Sequence, residues 1–289
     1  MNPILIGLMI IVLIFLFSKE GFFDVLKTLV IAMLIALSIR SFAYEPFSIP
    51  SGSMKPTLLV GDFLFVSKFS YGYSRYSVPF GRYIPLNGRI LYDEPKRGDV
   101  AVFKFPKDNK TDYIKRIIGL PGDIINVKDS VVYVNGNPIK RDKKGYFEDY
   151  HRDGYLEKYE VYEETISSEN KYLTLDDISF SGVFQQRKNG SYIDFDVNNT
   201  NNYTIPLGHF FALGDNREHS SDSRILQQVG FIPKDNLVGK AKILFLSIEY
   251  STQKIRFLGK DLFKLPAKIR FKRIGNFLWK KKKILKKSH

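Results

Sequence analysis

The stretch DYIKRIIGLPGD, residues 112 to 123, decides how this chain is read. Tyr113, Ile114, Ile117 and Ile118 form an apolar, β-branched run that stops at Pro121 and Gly122, the composition of a strand closed by a tight turn. Working outward, similar runs recur at DFLFVSKF (62–69), DVAVFKF (99–105), VVYVNGNPI (131–139), HFFALGDN (209–216) and KAKILFLSIEY (240–250). Asn135-Gly136 favours a type I′ hairpin turn, and no long amphipathic helical pattern interrupts the series. The expected fold is mainly β. Between Lys140 and Pro206 the composition turns acidic, aromatic and Asn-rich with weaker strand patterning, so 140–206 reads as a smaller β cap domain inserted into a β core made of 45–139 and 207–258.

Residues 1–44 have a different composition. ILIGLMIIVLIFLF (Ile4 to Phe17) and TLVIAMLIALSI (Thr28 to Ile39) are apolar runs, each shorter than the roughly 20 residues that cross a bilayer. With its flanks the second becomes long enough, about 34 Å over Phe22 to Tyr44 at 1.5 Å per residue, with Lys27 and Arg40 snorkelling to the two interfaces. The first either pairs with it as a hairpin, leaving Lys19 and Lys27 in a cytoplasmic loop, or lies partly embedded. A cleavable signal ending at Ser41–Ala43 is a third reading, but Arg40 directly before the site and a second apolar run upstream both argue against it. One or two N-terminal transmembrane helices are therefore expected.

Charge separates the other end. The chain has 289 residues, no cysteine and a formal net charge of +14. The last 26 residues carry eleven Lys or Arg and no acid, leaving about +3 for everything else. Residues 259–289 thus read as a basic C-terminal tail. Its interleaved Ile269, Phe271, Ile274, Phe277, Leu278 and Trp279 suit an anionic lipid surface better than nucleic acid, with a merely solvated tail as the plain alternative. The absence of cysteine excludes disulfides and thiolate metal sites.

The segment IPSGSMKPTL (49–58) sets two serines around a glycine. A serine needs a base to become a nucleophile. The four histidines are His151, His209, His219 and His289, and no G-x-S-x-G elbow accompanies them. No H-E-x-x-H or clustered His and carboxylate spacing supports a metal, so neither metal nor cofactor is expected. The remaining base is a neutral lysine, and Lys115 lies among apolar strand residues. At a free pKa near 10.4 only about a thousandth would be neutral at pH 7.5, so the role needs a downward shift of about two to three units, which burial can supply. From spacing alone, Lys115 could equally face solvent on the polar side of an edge strand.

PSGSMKPTLLVGD (50–62), RGDVAVFKFP (97–106), DYIKRIIGLPGD (112–123) and GDNREHSSDSR (214–224) resemble, in the same order, the boxes of the bacterial type I signal peptidases, membrane-anchored Ser/Lys endopeptidases. The resemblance covers roughly residues 22 to 250. It implies Ser53 as nucleophile, Lys115 as general base, and an oxyanion hole made by the Ser53 backbone N–H and the Ser51 hydroxyl. It also implies Ser220 as the serine that orients the lysine, Asp222 and Arg224 as a structural ion pair, and Asp215, Asn216 and Arg217 as architectural residues. Substrate pockets selecting small residues map onto Phe47, Ile49, Pro50, Met54, Leu58, Tyr113 and Ile114. The implied substrates are preproteins with signal peptides, and the implied location is the bacterial cytoplasmic membrane with the catalytic domain on its outer side. RILQQVGFIP (224–233) departs from the family pattern in lacking an aromatic residue next to Arg224. A membrane-anchored β scaffold without catalysis competes with this reading. So does a self-cleaving repressor-like Ser/Lys protease, which would need a DNA-binding helix-turn-helix where this chain has apolar spans.

Overall fold

The computed structural model describes residues 19–78, 81, 87–150, 156–167, 170–178, 183–188, 191–257 and 260–278. The first apolar run, His151 and residues 279–289, with the expectations attached to them, lie outside these. The chain divides into an N-terminal unit, 1–44, and a body, 45–289.

In the first unit, helix α1 (Lys19–Ser38) runs into a π-helical turn at Ile39–Ala43. Gly21–Ala43 is 23 residues of apolar helix, long enough at about 34 Å to cross a bilayer. Its apolar side chains are exposed all round: Phe23, Leu29, Met33, Leu34 and Phe42 have no protein core to enter. Thr28 and Ser38 return their hydroxyls to carbonyls one turn back, so neither leaves an unpaired polar group on the helix.

The body is mainly β, as the patterning predicts. Its strands are β1 (Tyr44–Ser48), β2 (Asp62–Ser67), β3 (Val100–Lys104), β4 (Asp112–Gly119), β5 (Ile124–Lys128), β6 (Val131–Val134) and β7 (Asn137–Pro138). In the inserted region follow β8 (Lys140–Tyr150), β9 (Leu156–Thr165), β10 (Lys171–Asp177), β11 (Val183–Lys188), β12 (Ser191–Asp196) and β13 (Tyr203–Thr204). The chain returns through β14 (His209–Leu213), β15 (Ile232–Pro233), β16 (Leu237–Phe257) and β17 (Lys260–Ile269). The main sheet has the order β1-β2-β16-β3-β4-β14-β15, with β17 added on β16. β3, buried at four of its five positions, and β4 are interior strands, which explains their near-continuous apolar runs. Asn135 and Gly136 both have positive φ, 52° and 80°, between β6 and β7, as a type I′ turn requires.

The insertion is β structure, as expected, and its faint patterning has a physical reason. The weakly patterned insertion contains the three-stranded sheet β10-β9-β8 and the hairpin β11-β12. Its apolar alternation is faint because cross-strand ion pairs, Lys144 to Glu163 at 3.3 Å among them, take the place of apolar contacts on β8 and β9. The boundary at 258 is overturned: up to Leu278 the basic segment belongs to the fold. β17 pairs back on β16, and the Gly275 and Leu278 amides donate to Leu244 and Lys242 carbonyls at 2.8 and 2.9 Å. Arg273 is buried, its guanidinium bound to the Asp62 carboxylate and to the Thr57 carbonyl. Basic composition pointed to a tail at a lipid surface, but the buried carboxylate of Asp62 supplies the partner that lets a basic residue enter the interior.

Candidate active site

Ser53 sits in the turn between β1 and β2, and Lys115 on β4. Sixty-two residues apart in sequence, they meet with Lys115 Nζ 2.7 Å from Ser53 Oγ, and both are buried, at 4% and 7% exposure. The edge-strand alternative for Lys115 does not occur, since β4 lies between β3 and β14 with Lys115 opposite Ala101. Burial pushes the lysine down to about 8, against the opposing pull of the Asp222 and Asp215 carboxylates. The Tyr113 ring, 5.5 Å from Nζ, covers it on one side.

Ser51, exposed, has its Oγ 3.4 Å from that of Ser53. Gly52 between them is not in a left-handed conformation. A Cβ there would lie 3.0 Å from Lys55 Cε, so the missing side chain leaves room for the Lys55 stem rather than releasing the backbone. The histidines stand elsewhere: His209 Nδ1 is 3.1 Å from the Leu207 carbonyl, and His219 Nε2 is 2.7 Å from Asp177. Among the described residues no group of three or more His, Asp or Glu side chains could hold a metal ion.

Ser220 is buried close by, beside the Asp222 carboxylate, yet its Oγ reaches no partner of ordinary hydrogen-bond geometry among the described residues and does not bond Lys115. Asp222 and Arg224 form a bidentate pair, with Nε to Oδ1 and Nη2 to Oδ2 both at 2.9 Å. Burial pushes the Asp222 carboxyl up, but Arg224 and the Gly214 amide together hold it below the usual carboxylate range. Of the expected pocket residues, Ile49, Met54 and Leu58 are buried in the core cluster with Leu64, Val66 and Leu244. Phe47 and Ile114 are partly buried against that cluster, Pro50 is exposed, and Tyr113 packs on the cluster containing Phe103 and Ile117, its ring stacked on Phe105 at 4.9 Å.

Several residues at the site carry no chemical signature in sequence. A Cβ on Gly214 would fall 2.1 Å from Ser220 Oγ and 2.6 Å from the Ser53 carbonyl, so only glycine fits. Arg116, next to Lys115, points the other way and holds Asp215 through two bonds of 2.8 and 2.6 Å. Arg217 holds both carboxylate oxygens of Glu164 of β9, and Oε2 also accepts from Tyr172 at 2.8 Å, tying the insertion to the loop after β14. The alternation rule exposes the first strand residues of such a network but not its partners, which come from segments far apart in sequence.

The family model described as "Signal peptidase, peptidase S26" matches residues 22–246. Signal peptidase I of Rickettsia typhi (strain ATCC VR-144 / Wilmington) is 42% identical over 214 residues, 74% of this chain and 76% of its own length. Signal peptidase I of Rickettsia canadensis (strain McKiel) is 40% identical over 223 residues, 76% of this chain and 78% of its own. A crystal structure of a signal peptidase I from Enterococcus faecalis V583 is 22% identical, covers 51% of this chain and 97% of that one, and superposes with a TM-score of 0.29.

Proposed function

This chain belongs to the signal peptidase family, peptidase S26, and from that premise we propose that it removes N-terminal signal peptides from exported preproteins, with Ser53 as nucleophile and neutral Lys115 as general base. The observation that carries the dyad is the 2.7 Å contact between Lys115 Nζ and Ser53 Oγ, in a setting dry enough to bring the lysine to about 8. Near pH 8 about half the enzyme then has a free amine lone pair facing the hydroxyl.

Ser53 Oγ attacks the scissile carbonyl carbon while its proton passes to Lys115 Nζ, and the carbonyl π pair moves onto oxygen. That oxyanion is held by the Ser53 N–H and the Ser51 hydroxyl. Collapse breaks the C–N bond, and the leaving amine takes the proton from the Lys115 ammonium. Water then attacks the acyl-Ser53 ester, giving its proton to Lys115, and collapse returns that proton to Ser53 Oγ.

Cleavage follows a small-x-small motif in this reading. In this reading Phe47, Ile114 and Tyr113, all partly buried, form the pocket walls, exposed Pro50 its rim, and the buried Ile49, Met54 and Leu58 its support, a role their packing is compatible with. On the same reading the buried Ser220 orients the lysine, and Asp222–Arg224 holds the loop that carries it. The helix Gly21–Ala43 anchors the enzyme in the bacterial cytoplasmic membrane, with the body on the outer side. Within the body, 140–206 acts as a cap on a catalytic core formed by the chain on either side of it, with 260–278 packed on that core. Lipid contact falls to residues 279–289, which carry six lysines and no acid. The test is cleavage of a peptide with an Ala-x-Ala site, in detergent, by wild type, Ser53→Ala and Lys115→Ala. Cutting after the second alanine by wild type alone supports the assignment, and substantial activity in Lys115→Ala would refute the base.

A further inference from the structure

Asn216 lies one residue beyond Asp215 and one before Arg217, each locked by a buried ion pair, to Arg116 of β4 and to Glu164 of β9. Leu175 of β10 adds a bridge: its amide donates to the Asp215 carbonyl at 2.8 Å, and the Arg217 amide donates to the Leu175 carbonyl at 3.0 Å. Asn216 is therefore held from three segments, and it is 2% exposed. Both of its donors point at the nucleophile turn. Its backbone N–H donates to the Ser53 carbonyl at 3.1 Å, and its side-chain Nδ2 donates to the Gly52 carbonyl at 3.2 Å. The amide orientation follows from that acceptor, because a flipped carboxamide would set two oxygens against each other.

The Gly52 carbonyl belongs to the same peptide plane as the Ser53 N–H. That peptide bond is trans, so the two groups point in opposite directions. Whatever fixes the Gly52 oxygen fixes where the Ser53 N–H aims. The Lys55 amide also donates to the Gly52 oxygen, at 3.1 Å, but it belongs to the same turn and moves with it. Asn216 is the donor from outside the turn. Among the described residues the Ser53 N–H itself donates to no acceptor, leaving it available to a ligand.

We propose that Asn216 is a positioning residue for the oxyanion hole: its carboxamide holds the Gly52–Ser53 peptide plane so that the Ser53 N–H faces the oxygen of the tetrahedral intermediate. The inference rests on Ser53 being the nucleophile and its N–H an oxyanion donor. The hydrogen bonds of Asn216 go to the Gly52 and Ser53 carbonyls and not to Lys115, so in this proposal its loss acts on the transition state and spares both substrate affinity and the titration of the base.

The experiment uses the full chain in detergent, with Asn216→Ala, Asn216→Leu, Ser53→Ala and Lys115→Ala. Each is assayed for kcat, KM and the pH dependence of kcat on an Ala-x-Ala peptide, and for binding of the matching peptide aldehyde and peptide alcohol. Ser53 Oγ adds to the aldehyde carbon, its proton passing to Lys115, and the resulting hemiacetal oxygen occupies the oxyanion position; the alcohol forms no such adduct. For Asn216→Ala the expected result is a fall in kcat of about tenfold to a hundredfold. KM should stay within about twofold, the midpoint of the pH profile should not move, and aldehyde affinity should fall by the same factor as kcat with alcohol affinity intact. Asn216→Leu fills the same space without a donor and should behave alike. A rise in KM alone, a moved pH midpoint, unchanged kcat, or loss of the fold in both variants would overturn the proposal. If Ser53→Ala or Lys115→Ala stays active the dyad reading fails; if both are inactive and Asn216→Ala is fully active, only this inference fails.

Discussion

Lys115 is a buried amine whose burial lowers its pKa from 10.5 to about 8. Between those values the unfolded chain binds a proton that the folded one does not, so stability rises with pH across this window, and below about 8 the whole penalty is present. A shift of that size corresponds to about 3 kcal/mol. Lys115→Met should therefore abolish cleavage yet melt higher than wild type at pH 7, with the difference vanishing above pH 10.5, as thermal unfolding at the two pH values would read. Gly214→Ala should lower kcat by about a hundredfold at unchanged pH midpoint, because its Cβ collides with both Ser220 and the Ser53 carbonyl. At this scale the sequence was legible in part. The apolar neighbours of Lys115 permitted burial, but whether its side chain faced solvent depended on β14 closing the sheet beyond β4, a pairing of residues about a hundred positions apart. The resemblance pointed to Ser53 and Lys115; the contacts of Asn216 and the role of Gly214 required the folded backbone.

At the scale of elements, the insertion is coupled to the site through Glu164, buried and bonded by both Arg217 and Tyr172. Desolvation pushes the Glu164 carboxyl up, and Arg217 and Arg141 more than reverse this. Glu164 is thus depressed in the folded state, and its contribution is present above the unfolded carboxylate range and lost as pH falls through it. Removing one partner leaves the other charge buried and unpaired. Glu164→Gln or Arg217→Gln should each destabilise by about 3–5 kcal/mol, whereas Glu164→Met with Arg217→Met should cost less than the sum, measured by denaturant unfolding. The insertion was read as a smaller cap domain because its composition turns acidic, aromatic and Asn-rich with weaker strand patterning. Charged residues in sequence do not disclose that one of them closes a buried pair with a loop more than fifty residues later.

For the whole molecule, the C-terminal segment is the larger revision. Charge joined residues 259–289 into one tail, yet Arg273 reaches Asp62 and Thr57 of the nucleophile segment, and Arg270 reaches the Val60 and Ile248 carbonyls at 2.6 and 2.9 Å. Two truncations should therefore behave differently. Ending the chain at Leu278 should leave peptide cleavage unchanged and weaken binding to anionic vesicles by about tenfold or more, since each lysine near such a surface contributes about 1 kcal/mol. Ending it at 259 should lower thermal stability and activity together by exposing Asp62 without its cation. Equal vesicle binding by wild type and the Leu278 truncation would remove lipid contact from the account. The candidate span, by contrast, was legible from one stretch of sequence, because a helix of 23 mostly apolar residues, Gly21–Ala43, needs no distant partner to define it.

The pH dependence of kcat on an Ala-x-Ala peptide, from pH 6 to pH 11 with the full chain in detergent, tests the central claim most directly. A neutral buried Lys115 acting on Ser53 predicts a rate that rises tenfold per pH unit on the acid side, bends at a midpoint of about 8 and is flat above it. A rate still climbing at pH 10, or a midpoint in the histidine range that survives Lys115→Ala, would contradict it.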